Sequence, residues 1–120
     1  MPIPVKPLVL MVAGLASSAA QAQLMGLGFE SNISLTQQDL DLIRQTVNQQ
    51  IHGKPVGATA SWSNPSSQNS GTVKLLKKFT ARNMRCEEVE YTLKTTAMDV
   101  SPEHYTLDSC LQPDGSWKIL

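Results

Sequence analysis

The hydrophobic positions of this chain change their period twice. Leu8 to Leu15 form an unbroken apolar run (LVLMVAGL), Leu40, Ile43, Val47 and Ile51 recur at helical spacing, and from Val56 onward apolar and polar residues alternate. The middle pattern predicts an amphipathic helix from about Gln37 to His52, with its four apolar residues on one stripe. Thr36 is a suitable N-cap, and Asp39 stands three residues on, where it can close a reciprocal capping arrangement. Leu35 and Leu40 occupy the two positions of a hydrophobic staple, and Gly53 followed by Lys54-Pro55 supplies the stop.

Beyond Pro55 the period is two. Val56, Ala58, Ala60 and Trp62 predict a first strand with one buried face. Asn64-Pro65-Ser66-Ser67-Gln68-Asn69-Ser70-Gly71 is rich in residues that bend the backbone or bond to it, and predicts a turn. Further strands are predicted over Thr72 to Thr80, Arg85 to Lys94, Tyr105 to Gln112 and Trp117 to Leu120, the last after a Pro113-Asp114-Gly115 turn. Setting Cys86 opposite Cys110 also sets Val89 against Leu107 and Tyr91 against Tyr105, a register that groups apolar and aromatic residues. Its cost is Glu88 against Asp108, two like charges face to face, which a bulge or solvent exposure would relieve. The expected fold is α+β: one N-terminal helix packed on a four- to five-stranded antiparallel sheet, with one disulfide.

The first apolar run is not part of that fold. It follows Lys6, is too short for a bilayer-spanning helix of ~20 residues, and leads through small residues to Ala20-Gln21-Ala22, an A-x-A junction. Residues 1–22 are therefore predicted to be a secretory signal cleaved after Ala22. No cysteine flanks that junction for lipidation, and no transmembrane segment is expected after cleavage. Residues 23–33, with Gly26 and Gly28, are predicted to be a flexible mature N-terminus, and 34–120 a single domain.

Export changes how the cysteines read. Cys86 and Cys110 are the two cysteines of the chain, and in an oxidising compartment a pair in a small domain is expected to be a disulfide. A redox-active pair normally shows C-x-x-C spacing, and two cysteines with two distant histidines make a poor zinc set. The formal net charge is +0, and loss of Lys6 leaves the mature chain one charge negative, which argues against nucleic acid or an anionic membrane surface as the main partner.

Candidate chemistry is sparse. His52 is placed at a helix C-terminus, where the dipole favours an imidazolium, and His104 in a loop. Glu87, Glu88 and Glu90 form an acidic cluster, expected to be a solvated sheet face; Glu88 and Glu90 share a side. Lys74, Lys77, Lys78, Arg82 and Arg85 form a basic stretch that would attract an acidic partner or protect a sheet edge. Strand alternation puts Lys74 and Lys78 on one side and Lys77 on the other. The candidate partner-binding residues are Lys74, Lys77, Lys78, Arg82 and Trp62. Trp62 and Trp117 are expected in the core or at its rim, with a ligand-stacking role open to one of them. No nucleophile motif, phosphate loop or metal cluster is present, so no catalytic residues and no cofactor are predicted.

Ser61-Trp62-Ser63-Asn64-Pro65, Asn69-Ser70-Gly71-Thr72-Val73, Cys86-Glu87-Glu88 and the ending Cys110-x-x-Pro113-Asp114-Gly115-Ser116-Trp117-Lys118-Ile119 together resemble the C-terminal domain of the bacterial 17 kDa outer-membrane surface antigens, over roughly residues 55–120. Unlike many members of that family, this chain has no lipoprotein cysteine after the leader, no glycine-rich membrane-associating segment, and no glycine at the 95–102 hairpin tip. The resemblance implies an exported envelope protein and supplies no catalytic residues. The functional expectation is a non-enzymatic bacterial envelope protein, periplasmic or secreted, with a structural or binding role. The alternative is an inhibitor-like or accessory module that binds an envelope protein or a glycan.

Overall fold

The computed structural model describes residues 31–120; the predicted leader and the first eight residues of the predicted tail lie outside them. Among the described residues, one helix, α1 (Gln37–Gln50), precedes five strands: β1 (Thr59–Asn64), β2 (Asn69–Ala81), β3 (Met84–Thr95), β4 (Glu103–Leu111) and β5 (Trp117–Ile119). The strands form one antiparallel sheet in the order β1-β2-β3-β4-β5. This is the expected α+β architecture, and Cys86 and Cys110 are joined by a disulfide with an S–S distance of 2.08 Å. No helix among the described residues is long and apolar enough to cross a membrane.

The helix begins where the capping residues put it. Thr36 Oγ1 accepts from Asp39 N at 3.1 Å, and Asp39 Oδ2 accepts from Thr36 N at 2.8 Å. Leu35 packs against Leu40 as the staple requires. Leu40, Ile43, Val47 and Ile51 are all buried. The last turn closes two residues before the predicted end, and Gly53 takes the left-handed φ of 79° that lets the chain reverse. The docked chain also starts before residue 34, since Ile33, within the segment expected to be flexible, is only 3% exposed and joins the core.

Asp39 does more than cap. Its Oδ1 accepts from Asn64 Nδ2 at 2.8 Å and Ser67 Oγ at 2.7 Å, and its Oδ2 accepts from Asn69 Nδ2 at 2.8 Å. Asn64 and Asn69 are the paired residues that close the β1–β2 hairpin. A single buried carboxylate thus ties the start of the helix to the first hairpin. Burial pushes the Asp39 carboxyl up, but the bonds from Thr36, Asn69, Ser67 and Asn64 outweigh it and hold the group below its ordinary range.

The first strand starts three residues later than its alternation implied. Val56 is 57% exposed, because Gly57 adopts φ 98° and donates to Leu75 O at 2.8 Å, which breaks the extended run. Gly71, in turn, belongs to β2 and not to the turn. The Trp62 indole lies across it: a Cβ there would stand 2.8 Å from Trp62 Nε1 and 2.1 Å from Thr92 O. We expect Gly71→Ala to destabilise the fold by about 1–3 kcal/mol, measured as a lower urea midpoint with unchanged slope.

Candidate functional site

The two faces of the sheet are set by register. On β3, Glu87, Val89, Tyr91 and Leu93 point toward the helix, and Cys86, Glu88, Glu90 and Thr92 point away. The predicted pairings Cys86–Cys110, Val89–Leu107, Tyr91–Tyr105 and Glu88–Asp108 all occur, with the disulfide on the face away from the helix.

The basic stretch is divided in a way that simple alternation does not give. The pairing of β2 with β3 shifts between Leu75 and Lys77: Lys74 stands opposite Glu90, Lys77 opposite Glu88 and Lys78 opposite Glu87. One extra residue in the strand reverses the parity of everything after it. Lys74 and Lys77 therefore share the outer face, and Lys78 is on the helix side, the reverse of the expected grouping. The bulge also brings Lys77 Nζ to 3.9 Å from Glu88 Oε2, beside one member of the like-charge pair, while Asp108 Oδ1 is buried with no hydrogen-bond partner among the described residues. Lys77 also lies 5.5 Å over the Phe79 ring. Arg82 sits at the tip of the β2–β3 hairpin, where it and Asn83 take positive φ values of 50° and 64°. Trp62 is 5% exposed and belongs to the core, so it is not available as a partner-binding residue.

Functional groups instead converge where the sheet extends past the end of α1. There Glu87 is 3% exposed and accepts from His52 Nδ1 at 2.6 Å and from Gly53 N at 2.9 Å. A buried carboxylate is tolerated only when paired and hydrogen-bonded, and here both oxygens are engaged. Glu87 is thus no part of a solvated acidic face, and His52 does not simply cap the helix dipole. The His52 ring stacks on Trp117, with centroids 4.1 Å apart and planes 3° from parallel. Trp117 is held in place by the Pro113-Asp114-Gly115 turn: Gly115 takes φ 89°, Asp114 Oδ1 accepts from Ser116 N at 2.9 Å, and Gln112 N donates to Ser116 O at 2.7 Å. Nearby Tyr91 is kept protonated, because burial pushes its phenol up to about 12.

A cleft of about 220 Å³ opens at this end of the sheet, lined by Lys78, Phe79, Thr80, Arg85, Cys86, Glu87 and Trp117. Lys78 and Arg85 are exposed, and Trp117 is half-buried. Two cations and an aromatic side chain thus line one concavity, together with Cys86 and the engaged Glu87. Of the predicted binding residues the cleft contains Lys78 alone; Lys74 and Lys77 lie on the other face, Arg82 at the hairpin tip. Sequence reasoning places Arg85 in the basic stretch and leaves a stacking role open to Trp117, but assigns neither His52 nor Glu87 to a binding site. The signal for Glu87 was its parity with Val89 and Tyr91. Among the described residues, no group of three or more His, Cys, Asp or Glu side chains is placed to hold a metal ion.

His52→Ala would leave one Glu87 oxygen buried without its donor and Trp117 without its stacking partner. We expect a loss of about 2 kcal/mol, together with a red-shifted and more quenchable Trp117 emission.

Compared with protein-family models, curated protein sequences and solved structures, the chain matches none.

Proposed function

We propose that this chain is an exported, non-enzymatic bacterial envelope protein, periplasmic or secreted, whose surface-antigen-like domain acts by binding. The observation that carries this reading is the cleft beyond the helix, where Lys78, Arg85 and Trp117 line one concavity. Its polar groups serve recognition better than chemistry. Both Glu87 oxygens are engaged by the fold, and His52 is fixed between that carboxylate and the Trp117 ring. The leader, the cysteine pair and the resemblance to surface antigens support export and an envelope location. The cleft favours the accessory-module form of this reading, with an envelope protein or glycan as partner, over a purely structural role.

The test is cosedimentation of the purified mature chain with washed envelope fragments. The parent should pellet with them, and a Lys78→Gln, Arg85→Gln double variant should pellet several-fold less while keeping its thermal midpoint. Equal pelleting of both, or pelleting of neither, contradicts the reading.

A further inference from the structure

We propose that the cleft at the end of the sheet is a binding site for one acidic pyranose unit of a polysaccharide, an inference that rests on the binding role above and names its ligand. Three features define the ligand. The first is the Trp117 ring, which lines the cleft and is fixed by its stack on His52 with planes 3° apart. A large, rigid aromatic surface costs little entropy to present and suits the flat C–H face of a sugar ring. The plate is anchored twice: the turn before it is locked by Asp114, and His52, which stacks on it, is itself fixed by Glu87. The second is charge. Lys78 and Arg85 both line the cleft, and Glu87, its acidic group, has both oxygens engaged by His52 and Gly53. An Arg fork with a Lys ammonium is the donor set that recognises a carboxylate or phosphate oxyanion.

The third feature is size. At about 220 Å³ the cleft is smaller than the ~300–1,000 Å³ pockets that enclose a drug-sized molecule. It accommodates a single ring with one anionic substituent, so each contact is weak. Such a site becomes useful when the unit repeats along a polymer, because linked units raise the effective concentration at neighbouring sites. The near-zero net charge of the chain fits this local recognition and disfavours a polyanion held by bulk charge, such as nucleic acid.

The experiment is a titration of ¹⁵N-labelled mature protein with a galacturonate trimer, its methyl-esterified counterpart, inorganic phosphate and an oligoglutamate peptide, followed through backbone and indole resonances. The trimer is expected to shift the Trp117 indole N–H and the Lys78 and Arg85 amides saturably and to leave the buried Trp62 indole unmoved. The ester should bind at least about tenfold more weakly, because the charged hydrogen bonds are gone. Lys78→Gln with Arg85→Gln, both exposed positions, should also weaken the trimer at least about tenfold with no change in thermal midpoint. Trp117→Leu should weaken trimer and ester alike, a loss that charge alone does not explain. The inference is overturned if the ester binds as well as the acid, if phosphate or oligoglutamate occupies the cleft as tightly, or if the trimer moves no cleft resonance. Should the trimer fail while envelope fragments still capture the parent and not the Lys78, Arg85 variant, the binding role stands and this ligand class is withdrawn.

Discussion

Asp39→Ala is expected to destabilise the protein by about 3 kcal/mol, because several hydrogen bonds to a buried carboxylate, each worth about 1.5–3 kcal/mol, are lost together. The carboxylate is fully buried, and the substitution removes the acceptor shared by Asn64, Ser67, Asn69 and the Thr36 backbone N–H, leaving the three side chains only their second bonds to Gln38, Asn64 O and Ser34 O. Because the contacts join the helix start to the β1–β2 hairpin, both should loosen together, seen as faster hydrogen exchange in α1 and β1 than in β3 and β4. The pH dependence has a definite sign. The folded carboxyl titrates below its ordinary value of 3.8, so its contribution is fully present above that value and is lost as pH falls through the lower folded one. Urea midpoints of the parent should fall on acidification below about pH 4, and those of Asp39→Asn should fall less steeply. Parallel pH profiles would show that Asp39 is not the group responsible.

Reduction of the Cys86–Cys110 bond should cost about 3–4 kcal/mol in the chain-entropy picture, given its sequence separation of 24. Both cysteines are buried, at 1% and 0% exposure, so the reduced thiols remain in an apolar setting and the loss falls mainly on the unfolded chain. The bond ties β3 to β4, and β4 carries β5 with Trp117. A Cys86→Ser, Cys110→Ser variant should therefore show a lower denaturant midpoint and earlier exchange in β4 and β5, with α1 less affected. A midpoint equal to that of the oxidised parent would contradict this.

The helix and the sheet were legible in the sequence because their signals are local or periodic. Thr36 and Asp39 encode a cap within one turn, the stripe from Leu40 to Ile51 encodes a buried face, and the cysteine pair fixes the β3–β4 register. What failed to register were features without a period. Counting by twos through Lys74, Lys77 and Lys78 misplaces every residue after the bulge between Leu75 and Lys77, and no residue type there announces an extra position. Val56 continues the alternation of Ala58 and Ala60, yet the positive φ of Gly57 breaks it. The cleft was harder still. His52, Glu87 and Trp117 come from the helix end, a mid-sheet strand and the last strand, and only the folded chain brings them together. Trp62 and Trp117 look alike in sequence; Gly71, which admits the Trp62 indole into the core, is what separates their fates.

Export into an oxidising envelope compartment is the premise of both the disulfide and the proposed binding role. Its most direct test is intact mass spectrometry, under non-reducing conditions with thiol alkylation, of the protein recovered from fractionated cells. The account predicts a periplasmic or secreted species beginning at Gln23, with no alkylated cysteine until a reductant is added. A cytoplasmic or membrane-pelleted species that keeps residues 1–22 and alkylates at Cys86 and Cys110 without reductant would contradict it.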